Sequence, residues 1–319
     1  MSKPRIFIDG HAGTTGLRIR HWLAERPDLV LTTLDQADRK SEPARQKAIA
    51  ESDLAILCLP DAAAAMAVGW ADESGSRILD ASSCHRVADG WVYGLPELAT
   101  AQREAIREAR KVSNPGCYPS GFLLLVRPLV DAGLLPRTAP LTIHALSGYS
   151  GGGKALIERW ESDARGLKSQ TFESPYALEK IHKHVPEMHR YADLDHAPQF
   201  VPAVGPFACG MRVEVPLHAA ILAEGIGGET VWQALADRYH GEPFVELAAY
   251  TGFEPVDEAQ LDPTALNDTN RLRIHVFPNL QGHILLVGIL DNLGKGAAGV
   301  AIQNLNLMLG LGEQTGLPV

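Results

Sequence analysis

The sequence predicts an α/β protein of two domains. An N-terminal doubly wound parallel sheet precedes an α+β domain built on a mixed or antiparallel sheet. Three observations predict this. Strand-like and helix-like runs alternate through residue 113, as βαβ units do. After Pro140 the rhythm changes to strand-like runs with few helices between them. And 319 residues, 45% of them hydrophobic, suit two cores better than one.

The elements follow in chain order. Residues 5–9 form a short β-rich run. Gly10-His-Ala-Gly13-Thr14-Thr15-Gly16 comes next, then a stretch at 17–25 whose Leu17, Ile19, Trp22 and Leu23 share a helix face. Residues 29–34 read as a second strand, and the almost wholly apolar 53–59 as a strand covered on both faces. The alanine-rich 61–71 is a helix, 77–80 a strand, 100–110 a charged helix and 111–113 a strand end. Residues 118–132 look helical, with Pro128 expected to kink or end the helix. Strands are then predicted at 141–147, 199–203, 212–219, 272–277 and 283–290. A final helix at 293–311, with a small Gly-Ala face, is expected to pack back on the first domain. The expected division is therefore 1–116 with 293–319, and 117–292.

The formal net charge of −9 and pI of about 5.7 argue against nucleic acid as a partner, because phosphate backbones are bound by basic surfaces. No apolar run approaches the ~18 residues that span a bilayer. The N-terminus enters a strand without a signal-peptide pattern. Cys58, Cys84, Cys117 and Cys209 are scattered, without a CxxC, and suggest neither disulfides nor a zinc cluster. A cytoplasmic protein with no metal is expected.

A strand, a GxxGxxG turn and a helix make a Rossmann-like nucleotide site. The backbone can approach a pyrophosphate there, and the helix N-terminus faces its charge. Gly10, Gly13, Thr14, Thr15 and Gly16 are the candidate contacts. Beyond the second strand stand Asp35 and Asp38, which suit a ribose hydroxyl, and Arg39 and Lys40, which suit a 2′-phosphate. Arg39 points to NADP.

Ser113-Asn-Pro-Gly-Cys117-Tyr-Pro-Ser120 is the most informative segment. Pro115 and Gly116 force a turn, and a helix starts just beyond Cys117. A thiol at a helix N-terminus ionises more easily and becomes a nucleophile, with backbone amides near enough to hold an oxyanion. Cys58, Cys84 and Cys209 are read as small buried hydrophobes. A second segment, His182-Lys-His184-Val-Pro-Glu187, is read as extended, with both histidines on one face. A third, Ser147-Gly148-Tyr-Ser-Gly-Gly-Gly153, offers backbone amides and hydroxyls for a phosphate or for the nicotinamide end of a cofactor. It is not a Walker A motif, since Ala155 follows Lys154.

SNPGCYPS resembles the active-site turn of the N-acetyl-γ-glutamyl-phosphate reductases, NADP-dependent enzymes of arginine biosynthesis. The resemblance runs from residue 6 to about residue 190. It takes in the glycine turn, Asp80-Ala-Ser-Ser, Tyr93-Gly-Leu-Pro-Glu97, the 147–153 run and HxHxPE. The length resembles the shorter branch. One segment departs: SSCHR stands at 82–86 where the longer branch reads like SADFR. The resemblance implies Cys117 as the nucleophile, a histidine of the HxHxPE segment as base, and a small-molecule acyl phosphate as substrate. His182 fits the base best, with Glu187 as its orienting carboxylate, and His184 competes for the role. It further implies a thioester reduced to an aldehyde. Cys117 lies where the first domain ends and the second begins, so the site is expected in the cleft between them, and a homo-oligomer is expected. The rival readings are a related acyl-phosphate reductase, such as an aspartate-semialdehyde dehydrogenase or an aminoadipate analogue, and a non-catalytic nucleotide-binding protein.

Overall fold

The structure, a computed structural model, describes residues 3–162, 164 and 166–318. The chain divides into two compact units, Met1–Pro115 with Ala297–Pro318, and Gly116–Gly296.

The first unit is the expected parallel α/β sheet. Its elements are β1 (Arg5–Asp9), α1 (Thr14–Leu23), β2 (Val30–Thr32), α2 (Glu42–Ala50), β3 (Leu54–Leu57), α3 (Asp61–Ser74), β4 (Arg77–Asp80), β5 (Val92–Tyr93), α4 (Gln102–Glu108) and β6 (Lys111–Ser113). The strand order is β2-β1-β3-β4-β6-β5, and every pair is parallel. Leu54, Ala55, Ile56 and Leu57 are all fully buried, which is why the run at β3 shows no alternation. α3 packs Ala64, Ala67, Val68 and Ala71 against this strand's cluster and ends at Gly75, whose φ is +83°.

Helix α2 was not anticipated. Its apolar content is low, but its start signals are strong. Ser41 caps the amide of Ala44, a proline occupies its first turn, and Glu42 stands beside the positive helix end. It buries Ile49 and Arg45, the latter paired with Asp9 at 2.9 Å and lying 5.0 Å over the Trp70 ring.

The second unit holds α5 (Cys117–Asp131), β7 (Thr142–Gly148), α6 (Gly153–Glu161), α7 (Leu167–Gln170), β8 (Ser174–Pro175), α8 (Val185–Tyr191), β9 (Gln199–Gly205), β10 (Met211–Leu217), α9 (Gly228–Tyr239), β11 (Val245–Leu247), β12 (Leu272–Pro278) and β13 (Ile284–Leu290). Its sheet runs β11-β12-β13-β10-β7-β9-β8 and is mixed: β7 with β9 and β11 with β12 are parallel, the rest antiparallel. The expectation of few helices between these strands fails at α6 to α9. α5 lies on the sheet with Gly121 against Val213 and Gly288 against Leu125.

Pro128 sits inside α5 without ending it. A proline there cannot donate to the carbonyl four residues back, which is that of Leu124. The Tyr239 hydroxyl of α9 donates to that carbonyl at 2.6 Å, so no buried acceptor is orphaned.

The expected long last helix starts with a π-helical turn, Gly294–Ala298, and continues as α10 (Gly299–Met308). α10 belongs to the first unit, packs on α4, α1 and β4, and is buried over its whole length. Each of its polar side chains makes at least one hydrogen bond there. Gln303 bonds Glu97, Asn304 bonds the Gly94 carbonyl and Asn114, and Asn306 accepts from Arg26.

Candidate active site

Within the first unit, the turn after β1 and the end of β3 line a cavity of about 200 Å³ together with Leu34, Arg39 and Lys40. β1 and β3 flank the point where strand order reverses, the place where doubly wound sheets bind ligands. Two of the three glycines are demanded by the protein itself. Gly10 has φ +85° and a Cβ there would meet the Cys58 carbonyl at 2.2 Å; at Gly16 it would meet the Gly10 carbonyl at 2.5 Å. Gly13, the N-cap of α1, has an ordinary φ of −79° and its nearest neighbour at 3.5 Å. The fold leaves room for a side chain at Gly13, and a pyrophosphate on the helix N-terminus would use that room. Thr14 and Thr15 are the first residues of α1.

Asp35 is spent on its own loop, where its carboxylate accepts the amides of Ala37 and Asp38 at 3.0 and 2.9 Å. Arg39 and Lys40, not the acidic pair, line the cavity. His11 also lines it; burial lowers the His11 pKa, with Arg20 and Arg39 adding to the effect. The chemistry is that of a dinucleotide site with cations set beside the glycine turn.

Within the second unit, Cys117, Ser147, Gly148, Gly151, Gly152, Gly153, Tyr176, His182, Lys183 and His184 line one cavity of about 400 Å³. Cys117 is the first residue of α5, one place earlier than its sequence suggests, with Gly116 as N-cap. First-turn amides point out of a helix; Cys117 and Tyr118 carry them here, while Pro119 has none. The approach to Cys117 is tight, since a Cβ on Gly296 would lie 2.7 Å from the Cys117 Cβ.

The histidine segment is not extended. The amide of Val185 bonds the His182 carbonyl at 2.9 Å, closing a turn that runs into α8. Pro186 is tolerated because it falls in the first helical turn, where no intrahelical N–H is needed. The turn still brings the two rings together, with centroids 4.7 Å apart. His184 is buried at 6% exposure, although Ile181, Lys183 and Pro186 around it are exposed. His182 is held by Tyr118, Tyr176 and Phe200, its ring edge-on to each. Its Nδ1 lies 3.2 Å from the His184 amide and its Nε2 3.3 Å from the Tyr176 hydroxyl. Burial pushes the Tyr176 hydroxyl up to about 12 and that of Tyr118 well above its usual value. Glu187 is buried, and its Oε2 accepts the Gly116 amide at 3.0 Å, tying α8 to the turn before Cys117.

In the glycine run, the amides of Gly148, Tyr149 and Ser150 are taken by carbonyls of Gly210, Phe207 and Ala208. The wall of the cavity is made instead by Ser147, Gly148 and Gly151–Gly153. Asn292 braces the run, bonding Ser150 and Gly210 at 3.0 and 2.8 Å.

Tyr118, Tyr176, Lys183 and Asn292 were not singled out as site residues. Adjacency to Cys117 could have flagged Tyr118; nothing local flags Tyr176 or Asn292, which arrive through the sheet. The other cysteines differ from one another. Burial pushes the half-buried Cys58 thiol up to about 12, in keeping with an inert side chain. Cys209 is half-buried. Cys84 is exposed, contrary to the expectation of a buried hydrophobe, because it lies on the loop beyond β4 and its side chain turns outward. Desolvation of its sulfur raises its pKa, the opposite of an activated nucleophile.

Residues 5–109 match the family model described as semialdehyde dehydrogenase, NAD binding domain, and residues 117–292 the one described as semialdehyde dehydrogenase, dimerisation domain. A protein of Trichormus variabilis named N-acetyl-gamma-glutamyl-phosphate reductase is 50% identical, over 99% of this chain and 100% of its own. The chain belongs to the N-acetyl-gamma-glutamyl-phosphate reductase family. Other reductases similar to it include one from Burkholderia ambifaria, 48% identical over 98% of both chains, and one from Pseudomonas putida, 46% identical over 97% and 98%. The fold resembles a crystal structure of aspartate semialdehyde dehydrogenase II from Vibrio cholerae (TM-score 0.74, 17% identity, 97% and 99% covered) and a solved structure of aspartate semialdehyde dehydrogenase from Francisella tularensis (0.73, 15%, 96% and 100%). The glycine turn lines one cavity and Cys117 with the two histidines another, each within one unit. Among the described residues, no helix is long and apolar enough to cross a membrane.

Proposed function

We propose that this chain is an NADP-dependent N-acetyl-γ-glutamyl-phosphate reductase of arginine biosynthesis, working in the cytoplasm through a thioester on Cys117. The observation that carries the reading is Cys117 at the first position of α5, lining one cavity with two histidines and a glycine-walled turn.

The Cys117 sulfur attacks the acyl carbonyl, an S–C bond forms, and the C–O bond breaks so that inorganic phosphate departs with the electron pair. His182 takes the thiol proton; Lys183 and the wall at Ser147, Gly148 and Gly151–Gly153 offer charge and small size to the departing phosphate. First-turn amides of α5 face the carbonyl oxygen as it gains charge. NADPH, when bound, supplies the hydride that takes the thioester to the aldehyde level. Gly10, Gly13, Thr14, Thr15 and Gly16 would hold its pyrophosphate, and Arg39 its 2′-phosphate. The open space at Gly13 and the cations beside it fit that group. The imidazolium protonates the oxygen of the resulting tetrahedral adduct, giving a thiohemiacetal; as its C–S bond breaks the hydroxyl proton passes to the departing thiolate, and the aldehyde leaves a free thiol.

The match of residues 117–292 to a dimerisation domain supports a homo-oligomer. The test of the whole reading is phosphate-dependent reduction of NADP with N-acetylglutamate semialdehyde, run beside aspartate semialdehyde. Turnover of the first alone is expected. Preference for the second, or dependence on NAD, would replace the substrate or the cofactor named here.

A further inference from the structure

The loop after β4 carries a cluster that the proposed reaction does not use. Four polar atoms close a ring there. Ser82 Oγ donates to Asp80 Oδ2 at 2.6 Å, and that oxygen lies 2.6 Å from His85 Nδ1. His85 Nδ1 is 3.2 Å from Cys84 Sγ, which returns to Ser82 Oγ at 3.1 Å. The donor atoms of Asp80, Cys84 and His85 all lie within 4.8 Å of one another.

We propose that Asp80, Cys84 and His85 form a binding site for a borderline-soft divalent cation, Zn²⁺ in particular. A carboxylate, a thiolate and an imidazole are each zinc ligands, and bond lengths of about 2.0–2.3 Å place such donors roughly 3–4 Å apart. Opening the Asp80–His85 contact by about 0.7 Å and the Cys84–His85 contact by about 0.4 Å admits the ion. Cys84 gives up its thiol proton to solvent, and His85 binds through Nδ1 with its proton carried on Nε2.

The surroundings fix the ligands as metal sites require. Asp80 is fully buried at the end of β4, and its second oxygen accepts the Ser82 amide at 2.9 Å. The His85 ring is stacked on Trp91, centroids 4.3 Å apart and planes 10° apart, so its orientation is set before a cation arrives. Asp61, at the start of α3, holds the loop by accepting from the amide and hydroxyl of Ser83 at 2.9 and 3.1 Å. Cys84 is exposed, which gives an entry path and leaves a fourth position to water. Zinc held this way is exchangeable rather than structural.

The test uses the full chain, freed of metals and titrated with Co²⁺ and then with Zn²⁺ as competitor. A thiolate on cobalt gives a near-ultraviolet charge-transfer band, so binding is read without activity. One equivalent of Co²⁺ is expected to raise the band and Zn²⁺ to abolish it. Cys84→Ser and His85→Gln should each remove it, while circular dichroism and thermal unfolding stay as in the parent. Cys117→Ser should keep it, whether or not the chain reduces acyl phosphates. No band in the parent overturns the site. So does a band lost in Cys117→Ser, alone or together with Cys84→Ser, since the metal would then sit on the other cysteine.

Discussion

Cys117 and its neighbours carry the chemistry proposed for single residues. Cys117→Ser should abolish turnover yet leave the fold and NADP binding intact, because a serine hydroxyl is far less ionised at neutral pH. Denaturing quench of the parent with acyl phosphate should trap the adduct on the Cys117 peptide; an adduct on Cys84 refutes the assignment. The two histidines separate by their surroundings. His182 is caged by three aromatic rings, while His184 is buried where the chain turns into α8. His182→Asn is expected to lower kcat by ~10²-fold or more and to shift its pH profile, with KM for NADPH nearly unchanged. His184→Asn should act mainly on acyl-phosphate binding. Measuring kcat and KM for both variants over roughly pH 6–9 brackets the free imidazole pKa and decides; the reverse pattern moves the catalytic role to His184. Arg39→Ala should weaken NADPH binding by about 1.5–3 kcal/mol, as expected for a charge-assisted bond to phosphate, and NADH binding far less. Equal loss for the two cofactors, measured by titration, would free Arg39 of that role.

At the scale of elements, α5 shows how a helix survives a residue that should break it. The carbonyl of Leu124 loses its partner to Pro128 and regains one from Tyr239 on α9. Tyr239→Phe removes that hydroxyl and leaves a buried acceptor unsatisfied, at a cost of about 1–3 kcal/mol. Urea unfolding is expected to show the loss. A variant as stable as the parent would mean that another donor reaches Leu124. The consequence for the site is indirect but physical: the helix whose first residue is Cys117 depends on a bond two turns further along.

For the whole molecule, the chain's end completes its beginning. α10 brings Ile302 and Leu305, both fully buried, to the first unit, and its amides and side chains satisfy Glu97, Gly94 and Asn114. Removing residues 297–318 would expose that apolar surface and strip partners from buried polar groups, each of which is costly alone. The shortened chain is expected to lose cooperative unfolding and NADP binding. Retention of a sharp thermal transition with parent-like cofactor affinity would show that α10 is dispensable.

The sequence by itself determined the class of fold, the strands other than the short β5, β8 and β11, and the two turns that matter. Gly, Pro and long apolar runs act locally, through φ, ring closure and burial on both faces, so β3, the glycine turn and the cysteine turn are legible without a partner. Residues whose role depends on distant chain were not. Pro128 looks like a helix end until Tyr239 is placed beside it. The segment 182–187 lacks a helical period, yet it turns and coils because its first-turn proline needs no N–H and Glu187 reaches the Gly116 amide. Tyr176 joins the His182 ring only through the pairing of β8 with β9. Cys84 reads as a buried hydrophobe by residue type, and only the path of the loop beyond β4 turns it outward beside Asp80 and His85. Local chemistry is written in neighbouring residues, whereas a hydrogen-bond partner or a shared cavity is a property of three-dimensional proximity, which tertiary packing alone supplies.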